Sequence, residues 1–243
     1  MARLSTECLE DKTLTWQLFD QIAGRYDGMN AVMTMGLNSY WKSKALDYCY
    51  EGSEDTASLR VLDLATGTGD LVYMSAKRFR AACPELIGVD LSEQMLAIAK
   101  TKQKDTSRPI QFQTGDATAL DFEDASVDRA TMAFGIRNVP DVAAVCKELF
   151  RCLKPGGRAV ILESSEPKGL IARLGYSVFT KTWIPFWAKA LSPDPSAYQY
   201  LLDSTEQFMS PEQLQAQLRD AGFAKVTHYS LSLGAVSIYV ADR

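Results

Sequence analysis

At 243 residues the chain is long enough to bury one large α/β core, and 47% hydrophobic with 23% charged residues is ordinary for a globular domain. A net charge of −4 argues against a nucleic-acid binder that works by broad phosphate neutralisation. Five scattered cysteines (Cys8, Cys49, Cys83, Cys146, Cys152) without CxxC spacing argue against a structural metal or a disulfide framework.

The first residues carry acids where a transit peptide avoids them and lack a signal-type apolar run, so a cytoplasmic protein is expected. No stretch approaches the roughly 20 apolar residues needed to span a bilayer. Apolar spacing of three and four predicts helices over Thr13–Gly24 and Tyr40–Tyr50, with breaks around Gly28 and Gly36. A polar connector (51–58) follows. Short apolar runs at 60–65, 86–91, 110–115, 127–134 and 158–164 then alternate with helical stretches at Leu71–Arg80, Glu93–Lys102 and Asp141–Leu153. Such runs suit a parallel sheet covered on both faces. KPGG (154–157) reads as a helix stop leading into the last of these strands. An aromatic, basic segment extends to Leu191, where Pro185, Pro193 and Pro195 limit any continuous helix. A helix at Pro211–Ala221 with Ser210 as N-cap precedes two alternating runs, 225–233 and 235–242, which read as a terminal hairpin through Gly234. The expectation is one α/β domain over 1–243: a Rossmann-like seven-stranded sheet, mostly parallel with an antiparallel C-terminal hairpin and helices on both faces. Residues 1–50 form a helical lid and 166–205 a cap insertion.

The sharpest constellation is VLDLATGTGD (61–70). A strand ends near Asp63, the chain turns through Gly67 and Gly69, and a helix begins near Asp70. Glycines suit a tight strand-to-helix turn that lets a ligand sit on the helix N-terminus. Asp90 ends the next strand, where a carboxylate accepts hydrogen bonds from ribose hydroxyls. Gly115-Asp116-Ala117 closes the strand after that and suits an adenine edge. The dinucleotide fingerprint GxGxxG requires a third glycine, and Val72 stands at that position. Asp63 and Asp70 would repel a pyrophosphate but favour the sulfonium and α-amino group of S-adenosylmethionine (SAM). The cofactor expected is therefore SAM, and five βα-type strands with a terminal hairpin are the inventory of a methyltransferase sheet.

Longer segments resemble the ubiquinone/menaquinone-biosynthesis C-methyltransferases. They are GRYDGMNAVMTMGLNSYW (24–41), DLATGTGD (63–70), FGIRNVPD (134–141), RCLKPGGRAVILESS (151–165) and YQYLLDS (198–204). The likeness runs from about residue 15 to the C-terminus. It implies SAM contacts at Thr68, Asp90, Asp116 and Ala117, and substrate contacts at Tyr26, Asn30, Asn38, Trp41 and Tyr198. Asn38 departs from the pattern, standing where the family has a histidine; it hydrogen-bonds but does not titrate. The implied reaction is SAM-dependent methylation of a ring carbon of a polyprenyl quinol, of demethylmenaquinol or methoxy-polyprenyl-benzoquinol type. Alternatives are a secondary-metabolism methyltransferase with another phenolic or apolar acceptor, which Asn38 favours, and a SAM-binding protein that does not methylate, such as a cyclase.

For a quinol, the ring carbon becomes nucleophilic as a phenolic proton leaves. Arg137 and Asn138 follow the fourth strand and face the methyl; the resemblance implies that they organise a water and the substrate oxygen. Arginine is a poor base, so Arg137 is expected to stabilise the developing phenolate, unless it merely pairs with a neighbour such as Asp141. Asp27 is the nearby acid able to take the proton. His228 alternates in a C-terminal strand and reads as structural. Lys168, Arg173, Lys181 and Lys189 interleave with Tyr176, Phe179, Trp183, Phe186 and Trp187, with no acid between them. That segment reads as a cap over an apolar substrate that also touches an anionic membrane surface, the alternative being a lid helix with its aromatics packed inward. Expected partners are thus an apolar small molecule, a membrane surface through 168–192 and a second copy of the chain.

Overall fold

The computed structural model of the chain describes residues 7, 11–53, 58–78, 85–105, 109–191 and 196–243. Three helices open it: α1 (Thr15–Ile22), α2 (Tyr26–Met33) and α3 (Leu37–Tyr50). Alternation then begins with β1 (Arg60–Leu64), α4 (Asp70–Arg78), β2 (Glu85–Asp90), α5 (Glu93–Thr101), β3 (Gln111–Thr114), β4 (Val127–Ala133), α6 (Val142–Cys152) and β5 (Leu153–Ser164). Helices α7 (Leu170–Val178), α8 (Ile184–Leu191), α9 (Ser196–Glu206) and α10 (Pro211–Asp220) lead to β6 (Lys225–Leu231) and β7 (Val236–Asp242).

The seven strands form one sheet in the order β3-β2-β1-β4-β5-β7-β6. The first five are parallel, and β7 runs antiparallel to both β5 and β6. Period-two alternation feeds two cores: Leu62, Leu64, Ala159 and Ile161 point to one face, Val61, Val160 and Leu162 to the other. Helices cover both faces, as the continuous apolar strands require. The strand order reverses between β1 and β4, which opens a crevice beyond their C-terminal ends. A third cluster (Leu18, Ile22, Met29, Met33, Ile184, Tyr200) packs α1 and α2 onto α8 and α9 above that crevice.

Three local expectations are corrected. Gly28 does not break the chain but lies inside α2; Met29 and Met33, buried one turn apart, hold that helix down, and the break falls at the 3₁₀ turn Ala23–Arg25. Gly36, at φ +77, does separate α2 from α3. Pro185 does not end the helical run: a π-turn over Phe179–Trp183 widens the backbone before it, so the ring is accommodated and helix continues to Leu191. KPGG lies within β5 rather than before it. Leu153 already pairs with Val127, and a register irregularity at 154–157 restores pairing at Arg158 opposite Arg129.

Candidate functional site

The turn after β1 is built by left-handed residues: Gly67 at φ +56 and Gly69 at φ +80. A side chain on Gly69 would lie 2.9 Å from the Tyr73 ring and 3.1 Å from the Phe112 ring, so glycine is obligatory there. Asp63 is buried beneath the turn and accepts hydrogen bonds from Thr66 Oγ1 and Thr131 Oγ1, both at 2.6 Å. Burial pushes its carboxyl up to about 6, against the pull of those two hydroxyls. At the end of β2, Asp90 accepts from the Gly67 amide at 2.7 Å through Oδ2 and from the Ser92 amide at 2.8 Å through Oδ1. Burial raises this carboxyl also.

Gly67 and Asp90 border a cleft of about 280 Å³ whose walls also include Ala65, Asp116, Ala117 and Phe134. Asp116 shapes its far end by an Asx turn, accepting from the amide and hydroxyl of Thr118 at 2.8 and 2.7 Å. Val72, at the position of the third dinucleotide glycine, is on α4 with its side chain buried in the core. The donor set thus fits SAM: carboxylates at Asp63, Asp70 and Asp90 surround the turn, which suits a sulfonium and ammonium ligand and opposes a pyrophosphate.

The N-terminal helices are tied to this turn through charge. Asp27 accepts from Thr68 Oγ1 at 2.6 Å and from Lys102 Nζ at 2.7 Å. Lys102 also reaches Asp70 at 3.1 Å, and Lys42 reaches the other oxygen of Asp70 at 2.9 Å. This clasp ties α2 and α3 to α4 and to the 3₁₀ turn that follows α5. It occupies both carboxylate oxygens of Asp27, which does not line the second, larger cavity.

A second cavity, about 550 Å³, lies between α2–α3 and α7–α9 and shares Tyr26 and Phe134 with the first. Tyr26, Asn30, Asn38 and Trp41 all line it, amid Met33, Phe179, Ile184 and Leu201. Trp41 donates through Nε1 to Ser232 Oγ at 2.9 Å. Asn38 is buried and its Oδ1 has no hydrogen-bond partner among the described residues. The side chain of Tyr198 lies outside the described residues.

Arg137 and Asn138 stand on the 3₁₀ turn after β4. Arg137 does not pair with Asp141, which instead caps α6 by accepting from the Ala144 amide at 2.9 Å. Its partner is Glu163, wholly buried at the end of β5; the guanidinium also bonds Ser204 Oγ at 3.4 Å and Phe134 O at 3.2 Å. The Glu163 carboxylate keeps the guanidinium charged despite burial. Arg137 lines the second cavity, whereas Asn138 lines the first and accepts from Tyr200 Oη at 2.9 Å. His228 bonds Ser237 Oγ at 2.8 Å and stacks on Tyr239, a structural placement.

A model of the ubiE/COQ5 methyltransferase family matches residues 6–243. The chain belongs to that family. A demethylmenaquinone methyltransferase of Thermus thermophilus is 40% identical over 93% of this chain and 100% of its own length. The ubiquinone/menaquinone biosynthesis C-methyltransferase UbiE of Rhodopseudomonas palustris is 35% identical over 95% and 91%. Among solved structures, a SAM-dependent methyltransferase of Thermotoga maritima, titled a possible histamine N-methyltransferase, shares the fold at TM-score 0.62 and 20% identity over 93% of this chain and 99% of its own. The protein is thus a methyltransferase with SAM as its methyl donor.

Four members of this methyltransferase's site escape sequence reasoning: Glu163, Tyr200, Lys42 and Lys102. An acid closing the wholly apolar run AVIL (159–162) is a usable signal for Glu163. Tyr200 lies two residues from Tyr198 in the segment YQYLLDS. Lys102 has no local signal at all, because its partners Asp27 and Asp70 are distant in the chain.

Proposed function

We propose that this methyltransferase places a methyl group on a ring carbon of a polyprenyl quinol. The observation that carries the reading is the apolar 550 Å³ cavity, which abuts the donor cleft at Tyr26 and Phe134. An aromatic ring there lies beside the donor methyl, and the flanking apolar wall suits a prenyl chain. The names of the curated relatives support the same substrate class.

SAM supplies an electrophilic methyl when bound; the chain's residues hold the two reactants in line and keep water out. Asp90, Asp116 and Ala117 are assigned to the nucleoside, and Asp63, Gly67, Thr68 and Gly69 to its amino-acid end. Arg137 stabilises the phenolate as the ring hydroxyl loses its proton, since Glu163 holds it cationic and oriented. Asn138, held by Tyr200 and the carbonyl of Phe134 on the donor-cleft side, is assigned to the water that carries this proton away, through the second hydrogen of its amide. Asp27 is reassigned from proton acceptor to latch, because Thr68 and Lys102 occupy its carboxylate. Tyr26, Asn30, Asn38 and Trp41 line the acceptor's ring site, under a lid (1–50) and a cap (166–205) within one domain.

We further infer contact with a membrane on the cytoplasmic side. No helix among the described residues is long and apolar enough to cross a membrane. The cavity mouth, however, is rimmed by Leu233, 81% exposed, and by Met35, both in the left-handed region that large side chains avoid. Beside it, α7 exposes Leu170, Leu174 and Val178 at successive turns, next to Lys168, Arg173 and Lys181. Co-sedimentation with anionic vesicles, lost on combining Leu170→Ser, Leu174→Ser and Leu233→Ser, checks this; equal sedimentation of both proteins would refute it.

The substrate test uses methyl-labelled SAM and a short-chain demethylmenaquinol kept reduced. Label on the ring carbon is the expected product. Label on a phenolic oxygen would overturn ring methylation, and donor binding with no transfer to the quinol would overturn the acceptor class.

A further inference from the structure

Beside the donor cleft lies a recess of about 30 Å³, joined to it along Tyr26, Ala65, Gly67 and Phe134. Lys42 and Asp63 both line it. Lys42 is a buried ammonium, its side chain 10% exposed, on α3. Among the described residues its one partner is Asp70 Oδ2, so two of its three N–H groups remain unspent in a buried place. A buried ammonium so poorly served favours a further anion. Lys102, by contrast, already serves both Asp27 and Asp70 and does not line the recess. Lys12 lines the larger cleft but not the recess, and donates to the carbonyl of Arg137.

We propose that Lys42 is the counter-ion for the α-carboxylate of the methyl donor, with Asp63 facing the α-ammonium. The recess then offers a partner to each half of an amino-acid zwitterion: the Lys42 ammonium, with donors left over beyond its bond to Asp70, and the buried Asp63 carboxylate. The assignment rests on the cleft being the SAM site. It also explains why α3 belongs to the donor site as well as the lid. Lys42 is joined through Asp70 to Lys102 and Asp27, so a carboxylate docking on Lys42 meets the same clasp that holds α2 down.

The test compares SAM with decarboxylated SAM, which keeps the ammonium and sulfonium and lacks only the carboxylate. Calorimetric binding to the full chain is the readout, so no acceptor or turnover is needed. The wild-type protein should prefer SAM by about tenfold or more, the worth of a charge-assisted hydrogen bond in a buried site. Lys42→Met should shrink that preference to about twofold or less by weakening SAM alone, while Lys42→Arg retains most of it. Lys42→Gln, which still hydrogen-bonds Asp70, serves if the methionine variant fails to fold. Lys12→Met should leave the preference intact. A preference that survives loss of the Lys42 charge, or that vanishes in Lys12→Met instead, overturns the assignment. Failure of the wild-type protein to bind either compound would overturn the donor-site reading on which it rests.

Discussion

Replacing Glu163 by glutamine tests whether the most deeply buried ion pair of the site holds Arg137 in place. The carboxylate is wholly buried and the Arg137 side chain 6% exposed, so neither charge has water to fall back on. Glutamine keeps one oxygen for the amides of Ser164 and Arg137, which donate at 2.7 and 3.3 Å to the present carboxylate. Its amide nitrogen, however, sets a donor against the guanidinium or leaves one oxygen doing the work of two. Uncompensating a buried charge costs about 3–5 kcal/mol. For a chain of this length that lowers the melting temperature by about 6–10 °C, at about 2 °C per kcal/mol. Arg137→Met leaves Glu163 with the backbone donors just named, so its cost should fall at the lower end of that range. The double variant should cost less than the sum of the two, with a coupling of about 2 kcal/mol or more. Urea unfolding at constant m, run beside thermal melting, measures all three. SAM binding to Glu163→Gln should be nearly unchanged, because Glu163 does not line the donor cleft, while ring methylation should fall steeply. Single-variant costs below about 1 kcal/mol, or strict additivity, would refute the argument.

Asp90→Ala should weaken SAM binding by about 1–3 kcal/mol through lost charged hydrogen bonds, and an unchanged dissociation constant in calorimetry would remove the ribose assignment. Asp63 predicts a pH dependence. Its folded value of about 6 lies above the ordinary 3.8, so this group's contribution to stability grows as pH falls through 6 toward 3.8. Binding a cationic donor favours the ionised form, so SAM affinity should drop as pH falls below about 6. Lys42 and Asp90 are the charges acting on it from neighbouring elements, pulling its value down and up respectively. Asp63→Asn should flatten the profile, and a profile unaltered by that change would assign the titration elsewhere. Tyr200→Phe removes the hydroxyl that fixes Asn138 at 2.9 Å. It should cost about 0.5–1.5 kcal/mol of stability and lower kcat more than it raises KM in the methyl-transfer assay. An unaltered kcat would show that Asn138 needs no such support.

The parts of this molecule legible in the sequence are those whose physics is local. Strand runs such as VLDL and AVILES announce a sheet buried on both faces, and the Gly67–Gly69 turn with Asp90 one strand later announces a nucleoside cleft. The errors share a cause as well. Gly28 reads as a break because glycine weakens an isolated helix, yet Met29 and Met33 bury themselves against the α8–α9 segment and override it. Pro185 reads as a stop because an α-turn cannot hold its ring, and a π-turn removes that conflict. Both outcomes depend on elements far along the chain.

The same distinction separates the residues that touch ligand from those that position them. Arg137 is visible in its motif, but what it does depends on Glu163, 26 residues away and invisible as a partner until β4 and β5 lie side by side. Asp27 illustrates the converse. Chemically it is the nearest acid and so an apt proton acceptor; only the approach of Thr68 and Lys102, 41 and 75 residues distant, turns it into half of a latch. Both of its carboxylate oxygens are engaged, by Thr68 at 2.6 Å and Lys102 at 2.7 Å, and Asp27 does not line the second cavity, where a proton acceptor for the ring hydroxyl has to stand. On the proposed reading the proton of the acceptor hydroxyl leaves through water, and the Tyr200–Asn138 pair beside the charged Arg137 is the arrangement that would order it.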